Sequence, residues 1–438
     1  MKYLDLSIKE LHEALVKKEV TPLELTEEAL ERAHSNQDNA FEFIDEEGAK
    51  AFASSLKEPE EDNPLWGIPF VAKDNFSTKG IPTTASSNIL NGYVPVFDAT
   101  VISKLKDHKA IMIAKATLDE LAMGGTGTTG HLGKTFNPYD PTHKHEVGGS
   151  SCGSAVSVAA GIVPFALGSD TGDSVRKPAS YAGLVGMKPT WGRISRYGLF
   201  PFAPSLDHVG YFTRDVYSSA VLLSVLAGRD LHDSTSSTKP VENYVEDLDK
   251  PVKGMRIAVI QEIYDSLTNE ELKKHFDYSL EKLKEMGIAV DFVKFGIKLL
   301  ESLYATYMVI SCAEATSNDA NLDGIKFGEF KGGKTYQEVM FNARNQGFSE
   351  LIKRRFVIGS YCLMSENQEE LFLRAQRNRA KIVEMVNSIL KDYDFIYVPA
   401  APNAAPTFDA ASDRLSDEYL IADNHLCLGN FAGLPSIT

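Results

Sequence analysis

From about residue 65 onward, short apolar runs alternate with stretches of helical character, and this alternation strongly limits the folds open to the chain. A predicted helix over residues 269–287, for example, leads directly into the apolar run 288–293. Such alternation is typical of βαβ units, so we predict an α/β fold with a mostly parallel sheet covered by helices. The other apolar runs, interpreted as buried strands or strand–helix junctions, are 66–75, 99–105, 109–117, 161–169 and 254–261.

The first forty residues are predicted to form a pair of packing helices. Ser7 with Glu10 and Thr21 with Glu24 each match the spacing of a capping box, in which two side chains satisfy the free N–H groups of a first helical turn. Pro22 follows Thr21 at the first helical position, where proline is well tolerated.

No repeat of fixed period divides the 438 residues, and the polar segment 233–254 is predicted to be a surface loop rather than a domain boundary. The sequence ends on an apolar run, 430–438, with no polar tail, so we expect the natural protein to be longer. We predict a single domain over 1–438, with N-terminal helices over 1–60, a core over about 65–215 and a remainder over 216–438.

Charge and composition exclude several classes of protein. The chain carries 45 basic and 60 acidic residues, a net charge of −15, so its surface should repel the phosphates of nucleic acids. No apolar stretch has the length of a membrane helix, and the first residues lack the apolar core of a signal peptide. The four cysteines are widely separated, as expected of reduced thiols in a cytoplasmic protein.

Residues 148–174 form a block rich in glycine and serine that is open to several interpretations. A flexible linker conflicts with the apolar run GIVPFALG inside the block. The nucleophile elbow of α/β-hydrolases formally matches residues 149–153, but a polar segment stands where that elbow needs a strand. A phosphate-binding loop requires a lysine that the block lacks.

The second half of this block favours acyl-transfer chemistry. A predicted strand leads into the glycine turn at 168–172, and such a turn can direct successive backbone N–H groups at one point. A cluster of this kind would stabilise the oxyanion of an acyl transfer, with Ser174 at its edge as the nucleophile.

Three blocks together, 67–75, 148–154 and 168–179, resemble the amidase signature family in their residues, order and spacing. The resemblance implies an amidase-signature fold, with a large mixed, mostly parallel sheet covered by helices on both faces. It also implies a catalytic group in which Lys73 accepts a proton from Ser150, which accepts one from the nucleophile Ser174. Burial must lower the pKa of Lys73 toward neutrality for this purpose. A cis peptide at Ser150 is expected as well.

The family also implies roles for residues around this group. The backbone N–H groups from Thr171, Gly172 and Asp173 to Ser174 would form the oxyanion hole. Further blocks at 123–140, 183–210 and 347–361 resemble the family's tRNA-dependent amidotransferase subunits, which hydrolyse free glutamine. Side chains that match their glutamine pocket are Arg355 for the α-carboxylate, Asp423 for the α-ammonium, and Tyr307, while Asp170 and Arg176 would brace the loop. Without the resemblance, Arg355 could belong to a surface basic cluster and Asp423 could cap a helix.

Glutamine hydrolysis on this chain would supply ammonia to a larger complex. The resemblance implies a cytoplasmic heterotrimer with amidotransferase subunits B and C. The former would activate glutamate or aspartate on charged tRNA with ATP and magnesium, and the latter, a small protein, would join the other two. This chain itself is expected to need no cofactor or metal. His143, His145 and Glu146 could suggest a metal site, but a polar loop is the better interpretation. The alternatives are a stand-alone amidase and a catalytically inactive scaffold.

The sequence departs from the family pattern at four positions. Asp173 and Cys152 stand where glycine is usual, Lys177 replaces a common glutamine, and Val147 replaces a common proline. Asp173 matters most, because a carboxylate that pointed into the oxyanion hole would repel the developing negative charge. We expect its side chain to point outward and activity to be retained.

Overall fold

The computed structural model describes residues 3–410, 416 and 418–438. Its strands in chain order are β1 (Phe41–Ile44), β2 (Pro69–Lys73), β3 (Ile111–Ala116), β4 (Phe165–Asp170), β5 (Val185–Lys188), β6 (His208–Thr213), β7 (Arg256–Ile260), β8 (Ala289–Val293), β9 (Phe395–Ile396) and β10 (Ser436–Ile437).

The α-helices lie mainly at the start of the chain and after β6. They are α1 (Ile8–Val16), α2 (Pro22–Ser35), α3 (Glu46–Ser55), α4 (Thr100–Asp107), α5 (Cys152–Ala159), α6 (Arg176–Tyr181), α7 (Val216–Leu226), α8 (Gln261–Asp265), α9 (Glu270–Glu285), α10 (Ile297–Glu301), α11 (Leu303–Asn318), α12 (Tyr336–Gly347), α13 (Glu350–Leu363), α14 (Arg374–Ile389) and α15 (Cys427–Phe431). Single turns of 3₁₀ or π helix cover Tyr3–Asp5, Asn88–Leu90, Glu120–Ala122, Glu246–Asp249, Asp319–Asn321, Glu369–Leu373 and Glu418–Ala422.

Most elements predicted from the apolar runs are confirmed. β2, β3, β4, β7 and β8 lie within runs predicted as strands, and α9 lies within residues 269–287. The run 99–105 is a correction, because it forms most of α4 and no strand. Its buried residues Val101, Ile102 and Leu105 have helical spacing, so one face of the helix packs inward. The segment 233–254 is irregular apart from the turn at Glu246–Asp249, as predicted.

Both predicted capping boxes are confirmed, and they set where the first two helices begin. Before α1, the Ser7 N–H donates to Glu10 at 2.8 Å and the Ser7 hydroxyl accepts from the Glu10 N–H at 3.3 Å. Thr21 and Glu24 repeat this arrangement before α2. These bonds satisfy N–H groups that the helix itself leaves free.

Seven strands of the described residues form one mixed sheet in the order β1-β3-β2-β4-β6-β5-β10. The two parallel pairs, β2 with β3 and β2 with β4, lie in its middle, and antiparallel pairs extend it on both sides. Every residue of β2, β3, β4 and β6 is buried. Because side chains alternate between the faces of a strand, both faces of the sheet are covered. The expected large α/β sheet is confirmed.

This arrangement brings three loops together at one edge of the sheet. Parallel strands end at the same edge, so the segments that follow β2, β3 and β4 meet there. β2 ends at Lys73, and β4 ends at Asp170. α5, which follows the first glycine–serine segment, packs against β2, β3, β4 and β6.

The second half of the chain forms a smaller parallel sheet, β8-β7-β9, and a helical layer. Ile310 of α11, Ile352 of α13 and Ile382 of α14 share a buried core with Phe202 and Leu206, which precede β6. This core therefore connects the helical layer to the large sheet. No helix of the described residues combines the length and apolar character needed to span a membrane.

Candidate active site

Lys73, at the carboxyl end of β2, lies at the centre of a cluster of serines. Its side chain is fully buried. The Nζ atom donates to Ser150 Oγ at 2.8 Å, to Ser151 Oγ at 2.9 Å and to Ser169 Oγ at 3.0 Å. The sequence predicts Lys73 and Ser150 for this site. It does not single out Ser151 and Ser169, although both belong to the same glycine–serine segments.

Burial lowers the pKa of Lys73 to about 7, even though Cys152, Asp119 and Asp170 act in the opposite direction. Its contacts are hydroxyl groups, and no carboxylate of the described residues forms a salt bridge with it. A buried ammonium without an anionic partner is poorly solvated, so the neutral amine is favoured. Near neutral pH, Lys73 can therefore serve as a proton acceptor.

The segment around Ser150 is shaped by a buried acid, Asp119. The Gly149–Ser150 peptide bond is cis, and the Asp119 N–H donates to the Ser150 carbonyl at 3.2 Å. A β-carbon at Gly149 would lie 2.1 Å from Asp119 Oδ2, so only glycine fits there. The Asp119 carboxylate also accepts from the N–H groups of Thr126, Gly127, Thr128 and Thr129. The sequence prediction does not include Asp119; its position just after the strand predicted over 109–117 was the available signal.

Ser174 lies beside this segment, with 4% of its surface exposed. Its carbonyl accepts from the Ser151 N–H at 3.3 Å, which ties the two glycine–serine segments together. Its hydroxyl makes no hydrogen bond with the residues that the structure describes, including Ser150. The predicted contact between the two hydroxyls is therefore not present in this structure.

The loop from Thr171 to Ser174 presents free backbone donors. None of its four N–H groups donates to another group in the described part of the chain. The flanking N–H of Val175 is committed to Asp170 at 3.0 Å. Successive N–H groups without an internal partner are suited to binding a negatively charged oxygen.

Asp170 and Arg176 hold this loop from below. The guanidinium of Arg176, which is 2% exposed, donates to both carboxylate oxygens of Asp170 at 3.1 and 2.9 Å. It also donates to the Gly172 carbonyl at 2.7 Å and to Leu426 and Asn430 near α15. Arg176 holds the pKa of Asp170 well below its usual range against the effect of burial. The pair is a charged brace that orients the donor loop.

Two of the departures from the family pattern contact each other. Lys177 Nζ lies 2.8 Å from Asp173 Oδ2, so the Asp173 carboxylate is engaged by a cation. The same Nζ lies 3.0 Å from Asp423 Oδ1 and donates to the Asp423 carbonyl at 2.9 Å. Asp423, expected to take an α-ammonium, is thus already paired with a lysine of the chain.

The remaining pocket residues lie on α11 and α13. The ring of Tyr307 packs on the donor loop, since a β-carbon at Gly172 would lie 3.1 Å from it. Arg355 stacks on Phe202 with 5.7 Å between its guanidinium carbon and the ring centroid. Its buried Nε atom has no hydrogen-bond partner, and no acid of the described residues pairs with it. An unpaired, partly buried guanidinium is suited to binding a carboxylate.

The histidines weighed as metal ligands lie elsewhere and have other partners. His143 stacks on Phe136 with 4.5 Å between ring centroids, and His145 Nδ1 lies 2.7 Å from Asp140. Within the described ranges, no three His, Cys, Asp or Glu side chains are grouped so that they could hold a metal ion.

A lysine, a cis-linked serine and a second serine beside free backbone donors define a candidate amide-hydrolysing site. The model of the Amidase family matches residues 24–438, so the chain belongs to the amidase family. It is 41% identical to the A subunit of glutamyl-tRNA(Gln) amidotransferase from Pediococcus pentosaceus over 445 residues, which cover 100% of this chain and 90% of that one. The corresponding protein of Halothermothrix orenii is 40% identical, again with 100% and 90% coverage.

Solved structures agree with this assignment. The crystal structure of the same amidotransferase component from Thermotoga maritima has 37% identity and a TM-score of 0.80, with 99% of this chain and 87% of that chain covered. The peptide amidase PAM has a TM-score of 0.83 over 100% of this chain and 91% of that chain. Its 24% identity supports the shared fold alone.

Proposed function

We propose that the chain is a glutaminase, the ammonia-producing subunit of a tRNA-dependent amidotransferase. The observation that carries the proposal is the 2.8 Å hydrogen bond between Lys73 Nζ and Ser150 Oγ in a fully buried setting. An amide is a weak electrophile with a poor leaving group, so its hydrolysis needs an activated nucleophile, a held oxyanion and a proton for the amine. The site offers a group for each of these needs.

The reaction begins when Ser174 Oγ attacks the side-chain carbonyl of glutamine. As the new C–O bond forms, Ser174 passes its proton to Ser150, and Ser150 passes one to neutral Lys73. Bound substrate draws the two serine hydroxyls within hydrogen-bond distance, because catalytic hydrogen bonds commonly tighten only in the complex. The free N–H groups of Thr171 to Ser174 stabilise the oxyanion.

Collapse of this intermediate breaks the C–N bond. The proton held by Lys73 returns through Ser150 to the departing nitrogen, which leaves as ammonia, and Ser174 remains as an acyl ester. Water then attacks the ester, with Lys73 and Ser150 again accepting its proton. The C–O bond to Ser174 breaks, and glutamate is released with the free serine restored.

The amino-acid part of the substrate is bound at the far side of the donor loop. Arg355, whose guanidinium is unpaired, takes the α-carboxylate, and Tyr307 forms the wall of the pocket next to Gly172. Asp423 takes the α-ammonium, sharing its carboxylate with Lys177. The relatives from Pediococcus pentosaceus and Halothermothrix orenii are each one component of an amidotransferase, which supports a complex for this chain as well.

The complex is a heterotrimer of this chain with subunits B and C, and it works in the cytoplasm. The ammonia passes to the first of these partners, which activates glutamate or aspartate on tRNA with ATP and magnesium, while the second, a small protein, joins the other two. The chain itself uses no cofactor.

One observation favours a second candidate function. Because Lys177 already pairs with Asp423, the site also suits a stand-alone amidase whose substrate lacks an α-ammonium.

The test is labelling with an electrophilic glutamine analogue followed by peptide mapping. We expect modification of Ser174 in the wild type and none in Ser174→Ala. Ser180→Ala, which removes an exposed serine of the neighbouring helix α6, should be labelled like the wild type. Labelling at another residue, or none with subunits B and C present, would refute the proposal. Hydrolysis of simple amides with no hydrolysis of glutamine would select the second candidate.

A further inference from the structure

Lys177 lies between two carboxylates at one end of the donor loop, and its own side chain is only 9% exposed. Its Nζ atom is 2.8 Å from Asp173 Oδ2 and 3.0 Å from Asp423 Oδ1. The two partners come from opposite directions along the chain. Asp173 lies four positions earlier, whereas Asp423 lies 246 positions later and follows the π turn at Glu418–Ala422.

The position of Asp173 makes this contact important for charge balance. Its N–H is one of the free donors of the loop, so its carboxylate lies on a residue that must stabilise a growing negative charge. The field of Asp173 reaches the pocket wall, since it helps to raise the pKa of Tyr307, although burial is the larger cause. Without a cation beside it, the same carboxylate would oppose the formation of the oxyanion.

We propose that Lys177 is a positioning residue whose ammonium neutralises Asp173 beside the oxyanion donors and fastens the Asp423 segment to the donor loop. This inference rests on the proposed function, because it assigns a further residue to the same site. Two carboxylates and one ammonium leave a net negative charge at the triplet, which Asp423 can offer to a cationic group of the substrate.

The test compares the effect of Lys177→Gln in two backgrounds, the wild type and Asp173→Asn, with glutamine as substrate. In the wild type, Lys177→Gln leaves Asp173 unneutralised, and we expect kcat to fall by about tenfold or more, with a smaller change in KM. In the Asp173→Asn background, the same change should lower kcat by less than about threefold, because no carboxylate remains to be neutralised. Lys177→Arg, which keeps the positive charge, should retain more activity than Lys177→Gln.

A second readout does not depend on glutamine. The same proteins are treated with a small sulfonyl fluoride, and modification of Ser174 is followed by mass spectrometry. In this step Ser174 Oγ bonds to sulfur, the sulfur–fluorine bond breaks, fluoride leaves and the serine proton passes through Ser150 to Lys73. The rates should show the same dependence on background, and the unfolding temperature of each variant shows whether it is folded.

Equal losses of rate in both backgrounds would overturn the inference, because Lys177 would then act only through folding or through Asp423. An unchanged rate in Lys177→Gln would overturn it as well. If the wild type does not hydrolyse glutamine, the proposed function fails, and the sulfonyl fluoride rates still decide the role of Lys177.

Discussion

At the scale of single residues, the chemistry of this site depends on an amine that is deprived of both water and counter-ion. Lys115 of β3 provides an internal comparison, since it too is fully buried. Its Nζ lies 3.0 Å from Asp74, and it also donates to three oxygen atoms of the adjoining loop. Lys115 is thus a structural ion pair, whereas Lys73 contacts neutral hydroxyls and is available for proton transfer.

The first prediction concerns the pH dependence of the reaction. Because the pKa of Lys73 is about 7 and its neutral form accepts the proton, kcat should rise with pH through about 7 and then level off. Lys73→Arg keeps a permanent positive charge, so we expect kcat to fall by about a hundredfold or more. Steady-state kinetics across this pH range measure both effects.

Lys79→Arg is the matched control, because Lys79 is an exposed lysine only six positions further along the chain. It should keep the wild-type pH profile. A rate that does not change with pH in the wild type, or an active Lys73→Arg variant, would contradict the assigned role of Lys73.

At the scale of elements, the site depends on how closely α5 approaches the strands beneath it. A β-carbon at Gly153, in the first turn of α5, would lie 2.3 Å from the Ala40 carbonyl and 2.8 Å from the Thr117 N–H. Both are backbone atoms that cannot rotate away. The absence of a side chain at Gly153 therefore fixes the distance between α5 and the segments next to β1 and β3.

We predict that Gly153→Ala lowers the free energy of unfolding by about 1–3 kcal/mol, because backbone must move to admit the methyl group. It should also lower kcat, since α5 carries the serine segment at its start. Gly125→Ala is the control: a β-carbon there meets nothing within 4 Å. Urea denaturation followed by circular dichroism compares the two. Equal stability of the two variants would contradict this account of the packing.

Local sequence signals predicted the features that depend on near neighbours. The capping boxes at Ser7 and Thr21 join residues three positions apart, and the strands β2, β3 and β4 appear as apolar runs of the right length. The prediction for the run 99–105 is wrong because a short amphipathic helix and a buried strand are hard to distinguish by apolar content alone. The three family blocks identified Lys73, Ser150 and Ser174 for the same local reason.

Contacts across long separations could not be predicted in this way. Nothing near Lys177 in the sequence indicates that Asp423 will pair with it, and Asp119 has no visible partner until the loop at 126–129 folds around it. Ser151 and Ser169 share their composition with Ser150, so only the geometry around Lys73 separates their contacts.

At the scale of the whole molecule, charge is the dominant feature. The chain has 45 basic and 60 acidic residues, and binding to a nucleic acid backbone normally requires clustered positive charge. In the proposed complex, the ATP-dependent partner and not this chain would therefore hold the tRNA. Division of labour of this kind keeps a strongly anionic glutaminase clear of a strongly anionic substrate.

We predict that the isolated chain does not retain tRNA in a gel-shift experiment at about 0.1 M salt, because repulsion between like charges opposes the contact. Adding subunits B and C should produce a retained complex that contains this chain. The two partners without this chain serve as the control for tRNA binding. Tight binding of tRNA by the isolated chain would contradict this division of roles.

The brace formed by Arg176 has a consequence for the order in which the enzyme is made. Arg176 reaches Leu426 and Asn430, which are 250 and 254 positions further along the chain. A ribosome that has completed α14 has already delivered all three reacting side chains but not the segment that clasps their donor loop. The nascent polypeptide would thus carry its nucleophile in an idle form through a long stretch of translation, and hydrolytic power would arrive only when α15 emerges.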